Sequence, residues 1–165
     1  MRCNPNHSDI SRALLIGATA GLAASFVMNV FQDAVTHFGP DNDNDDAAAE
    51  PATEKAADDL ASVLGTTLSD ETRPAAGEAI HYLLGAVLGA TYAMAAEYEP
   101  GVTKGAGAAF GVTTAAMLDD VAVPATGLSE APWTFPASTH LYGLASHLVF
   151  GMTVDGVRRV LRRIR

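Results

Sequence analysis

Four apolar stretches rich in Gly and Ala constrain this chain more than any other feature: Ala13–His37, Ala79–Glu97, Lys104–Val123 and Thr139–Val157. A helix rising about 1.5 Å per residue needs about 20 residues to cross a hydrocarbon core, and each stretch meets or approaches that length. The expected fold is therefore all-α. It is a polytopic membrane protein in which a four-transmembrane-helix bundle forms one domain over residues 1–165, with an acidic outer insert at Gly39–Gly77.

The mean hydropathy of +0.16 is low for such a protein because it averages the apolar stretches with the insert. Six carboxylates fall within Asp41–Glu54 alone, and the formal net charge is −9. The basic residues gather elsewhere: Arg2 and Arg12 before the first stretch, Lys104 between the second and third, and five arginines after the fourth. Four spans put all three groups on one side, which the positive-inside rule makes cytoplasmic, together with both termini. The insert and the Pro124–Ala137 connection then lie outside. Pro51 is expected to open a short helix in the insert, with Ala57, Leu60, Ala61 and Leu64 on one face. Trp133 and Phe135 are expected interface anchors in the outer connection. No basic patch with interleaved aromatics points to nucleic acid, so the lipid bilayer is the expected partner. Cys3 is the single cysteine, which excludes an intrachain disulfide and a thiolate metal site.

The same threading collects ionisable residues near the outer face. Asp33, His37, His81, Asp119, Asp120 and His140 arrive on one side, with His147 deeper. Ionisable groups are costly in hydrocarbon, so such a cluster is a candidate binding site. Ser25, Asn29, Asp33 and His37 form a stripe at steps of four. Asp119 and Asp120 are adjacent, so a regular helix turns only one of them inward.

Three kinds of chemistry suit these residues. His81, His140, His147 and Asp120 are candidate metal ligands, since imidazole with carboxylate suits zinc. The same groups suit a proton-accepting or substrate-coordinating site. They also suit interhelical hydrogen bonds that lock the bundle. No His-Glu-x-x-His motif, phosphate loop or Gly-x-Ser-x-Gly elbow is present, and the expectation is a non-enzymatic protein without a cofactor. Asp155 and Arg159 read as an ion pair on the helix surface, and Tyr92 as a belt or packing residue.

Gly-x-x-x-Gly pairs recur at Gly17/Gly21, Gly85/Gly89 and Gly107/Gly111. Small residues let helices approach closely in lipid, which suits a compact bundle and also a homo-oligomer. The alternatives are a small carrier or a proton- or metal-coupled membrane protein using the cluster, and a soluble Ala-rich helical bundle.

The second half carries a series of short pieces in order: His81-Tyr82, Gly89-Ala90-Thr91-Tyr92, Asp119-Asp120-Val121-Ala122-Val123-Pro124, Gly127-Leu128, Ala131-Pro132-Trp133 and Ser146-His147-Leu148-Val149. In these, Gly77–Arg165 resembles the YagU-like family of small bacterial inner-membrane proteins of unknown function. The resemblance implies a four-helix protein of the bacterial inner (plasma) membrane and adds no activity or cofactor.

Overall fold

The computed structural model describes residues 7–38 and 51–164. Among these residues every regular element is helical. Helix α1 is His7–Phe38, α2 is Ala52–Val63, and α3 is Arg73–Tyr98. Helix α4, Ala108–Met117, runs on through a π-helical turn, Leu118–Ala122, into the one-turn α5, Val123–Ala125. Helix α6 is Ala137–Arg163.

The apolar stretches fall on α1, α3, the α4–α5 course and α6, but α1 begins earlier at His7, α3 begins earlier at Arg73, and α6 continues to Arg163. The third begins at Ala108 rather than Lys104. Gly105, Ala106 and Gly107 all take positive φ, so the chain turns there before it can enter a helix. The segment Asp41–Asp46 lies outside the described residues. The short helix in the insert is present as α2, with Pro51 at its N-cap. Its expected apolar face is corrected, because only Ala57 and Ala61 are buried while Leu60 and Leu64 point outward. Small side chains set the packing here: α2 lies so close to α3 that a Cβ on Gly77 would meet the Glu54 side chain.

Contacts near the helix ends fix an alternating course. Asn29 near the end of α1 donates to Glu78 near the start of α3 at 2.6 Å. Arg12 near the start of α1 donates to the Ile164 carbonyl after α6 at 3.3 Å. Arg159 donates to the Thr103 carbonyl, beside Lys104, at 3.2 Å. Arg12, Lys104 and the arginines of α6 therefore share one end, and the Asp/His residues occupy the other.

The Gly-x-x-x-Gly pairs are spent inside the chain, and they zip it into two hairpins. On α1 a Cβ at Gly17 or Gly21 would strike the backbone of Gly89 or Gly85 on α3. At the start of α4 and within it, a Cβ at Gly107 or Gly111 would strike the backbone of Gly151 or His147 on α6. The glycines that suggested self-association are thus already covered by a partner helix of the same chain. The core between the hairpins is small: Ala20, Ala24, Met28, Tyr92, Phe150 and Val154 are its buried hydrophobics.

Candidate functional site

The Asp/His end is built by the π-helical turn and the first half of α6. Asp119 Oδ2 lies 3.2 Å from His147 Nδ1, and Asp120 Oδ1 lies 3.2 Å from His140 Nδ1. A regular helix would splay successive side chains apart. The wider π turn rotates them less, so both carboxylates face α6, but only Asp119 lines the space between the two hairpins, as expected, while Asp120 pairs with His140 at a half-exposed position. His147 Nδ1 also lies 3.0 Å from the Gly143 carbonyl. Both of its neighbours are acceptors, so Nδ1 carries a proton directed at them. His140 Nε2 faces the Pro132 carbonyl at 2.9 Å, which ties the outer connection to α6.

His81 stands apart from both pairs, across a cavity of about 340 Å³ in the seam between the hairpins. Asp119 and His147 line that cavity from one hairpin, and His81 and Ser25 line it from the other. Three buried polar atoms on its wall, Ser25 Oγ, His81 Nε2 and Ser146 Oγ, have no hydrogen-bond partner among the described residues. Both serines are completely buried, at 0% exposure. Leaving a buried polar atom unpaired costs about 1–3 kcal/mol, which sets these two hydroxyls and one imidazole nitrogen apart from the paired groups around them.

Asp33 and His37 do not join this group. Both side chains are exposed, and His37 Nδ1 makes its bond to the Asp33 carbonyl of its own helix at 2.9 Å. The α1 stripe therefore divides, with Ser25 in the cavity, Asn29 on Glu78 and the last two positions outside. The candidate metal ligands are likewise dispersed, with His140 and Asp120 in one pair, His147 in another and His81 in neither. Among the described residues no three His, Cys, Asp or Glu side chains are grouped to hold a metal ion. Trp133 points outward, and Phe135 borders a second cavity of about 380 Å³ beside Asp120 and His140.

A second polar group lies at the opposite end. Tyr92 Oη donates to Asp155 Oδ1 at 3.0 Å, and Arg159 binds Asp155 Oδ2 at 2.7 Å. Glu97 faces Arg158 at 3.6 Å and pairs closely with Arg162. Asp155 and Arg158 are buried, so the surface reading of the Asp155–Arg159 pair is corrected, whereas Tyr92 is a packing residue, one of the two roles expected for it. The spacing of four signals the ion pair but not the direction it faces.

Residues 53–156 match the family model described as a protein of unknown function (DUF1440). The chain belongs to that family. The match spans α2 through most of α6, so it includes His81, both Asp/His pairs and the Tyr92–Asp155 bond. No curated protein matches, and no solved structure matches.

Proposed function

We propose that this DUF1440 chain is a four-span bundle of the bacterial inner membrane that holds a polar cavity near the periplasmic face and has no catalytic activity of its own. One observation carries the reading: the chain is inverted relative to a water-soluble protein. Large apolar side chains face outward on all four helical courses, among them Leu15 at 71%, Leu83 at 61%, Met117 at 55% and Leu141 at 65% exposure. The buried positions are dominated by Ala, Gly, Ser, Thr and paired charges. Soluble monomers do not leave such a girdle in water, whereas hydrocarbon accepts it and small residues supply the helix contacts.

Length supports the same reading. Asp9–Phe38 and Arg73–Tyr98 are long and apolar enough to cross a membrane. The course from Ala108 to Ala125 extends roughly 27 Å and α6 roughly 40 Å, from a rise of about 1.5 Å per residue. In this orientation the end bearing Arg12, Lys104 and the α6 arginines is cytoplasmic, and the YagU-like resemblance agrees with an inner-membrane location. Trp133, outside α6, then sits at headgroup level.

Fractionation and labelling test the proposal. The full chain should stay with membranes through a carbonate wash and leave them only in detergent. With Cys3 replaced by Ser, a cysteine at Lys55 or Glu130 should react with an impermeant maleimide on spheroplasts. One at Arg163 should react only after lysis. Recovery in the aqueous phase would establish the soluble-bundle alternative instead.

A further inference from the structure

The seam cavity has a defined polarity, and resting on the membrane reading above, we infer that it binds a small amphipathic organic monocation: one ammonium head on an apolar body. The inference starts from the unpaired atoms. Ser25 and Ser146 belong to the cavity lining, and their Oγ atoms are fully buried without a partner among the described residues, as is Nε2 of His81 in the same lining. A hydroxyl or an imidazole nitrogen can accept a hydrogen bond, and an ammonium has three protons to give and nothing to accept with.

Charge decides between ligand classes. Among the described residues Asp119 is the only Asp, Glu, Lys or Arg on the cavity wall, and it is shared with His147 rather than neutralised by Lys or Arg. The surrounding end adds Asp33, Glu78 and Asp120. Arg73, the nearest arginine in sequence, is held by Asp58 at 2.7 Å and Asp70 at 3.0 Å. The first turn of α2 also borders the cavity with backbone N–H groups that would favour an anion, but Glu54 in that turn opposes them. A carboxylate ligand would be repelled by the acidic groups of this end, whereas an ammonium is drawn to Asp119, which is 42% exposed and also pairs with His147.

Shape sets the rest of the ligand. Met28, Leu88 and Phe150 are also in the lining, so an apolar body fits beside the polar groups. A volume of about 340 Å³ is at the small end of ligand sites, which run from about 300 to 1,000 Å³. One aromatic or short aliphatic group fills that size.

Calorimetric titration of the detergent-purified full chain tests the assignment with three probes of similar shape: 2-phenylethylammonium, 2-phenylethanol and 3-phenylpropanoate. The ammonium should bind at least tenfold more tightly than the alcohol, and the carboxylate should give no saturable heat. Asp119→Asn should weaken the ammonium at least tenfold. Ser146→Ala, which keeps a helix-forming residue, should weaken it severalfold and serves if Asp119→Asn does not fold. Equal binding of ammonium and carboxylate would overturn the inference, as would no saturable heat from the ammonium. So would unchanged ammonium affinity in a folded variant, which marks partitioning into detergent. Failure here with the chain still in membranes sinks only the ligand, whereas recovery in the aqueous phase sinks the membrane reading.

Discussion

The phenol of Tyr92 donates to the Asp155 carboxylate across 3.0 Å, joining α3 to α6 where both residues are only 1% exposed. Asp155 accepts from Arg159 as well, and Glu97 beside it faces Arg158 and Arg162, so the bond sits within a charged network. A buried carboxylate without enough donors is costly, which makes this junction sensitive to losing one partner.

Tyr92→Phe should therefore lower stability by about 1–3 kcal/mol, the cost of leaving part of a buried polar group unpaired. Thermal unfolding in detergent reads the effect. Adding Asp155→Asn should recover part of the loss, because the neutral amide needs fewer donors and tolerates the missing phenol better. Strictly additive losses would mean that the two residues do not interact.

Substitutions at the glycine seams should separate sharply by position. A Cβ at Gly21 would run into the Gly85 backbone, and one at Gly151 into the Gly107 and Gly111 backbones. Gly21→Val and Gly151→Val should prevent the hairpins from closing, seen as loss of the folded peak in size-exclusion chromatography. A Cβ at Gly156 would meet nothing within 4 Å, so Gly156→Ala should be neutral or gain up to about 1 kcal/mol from helix propensity. Similar effects at all three sites would refute the backbone-contact account.

The two Asp/His pairs should be energetically separate. A double-mutant cycle on Asp119 and His147 should show coupling, since His147 is buried and its ring is shared with the Gly143 carbonyl. The Asp120–His140 pair is about half exposed, and its coupling should stay below about 1 kcal/mol. The cross cycle of Asp119 with His140 should give less than either direct pair. A dominant cross term would mean that the four groups act as one site.

Glu97 should behave as the anchor of the arginines. Glu97→Gln removes the charge facing both Arg158 and Arg162. The expected result is a lower melting temperature that falls little further in salt, whereas the unmodified protein loses stability as salt screens the pair. An unchanged melting temperature would show that the arginines rely on other partners.

Much of this architecture can be read from residue spacing. The apolar stretches give the helices, the Gly-x-x-x-Gly spacing gives close approach, and Pro51 gives the start of α2. What spacing cannot supply is rotation about each axis. Asp155 and Arg159 at a spacing of four fit a surface pair as well as a buried one, and only the approach of Gly107 and Tyr92 decides. The π-helical turn at Leu118–Ala122 has no signature in period, yet it orients both aspartates. Ser25 and Ser146 pass as small packing residues in a sequence, because a missing partner is visible only once the neighbours are placed. The stripe on α1 likewise stops being buried beyond Asn29, because Asp33 and His37 turn to the outside of the helix.

The cavity lies between two hairpins that are each zipped along their glycines, and the hairpins are joined by the small core between them as well as by Tyr92, Asp155, Glu97 and the aromatic contact of Tyr92 with Phe110 at 4.7 Å. Whatever fills the cavity touches both hairpins at once, so it adds to the core and the charged cluster in holding the two halves together.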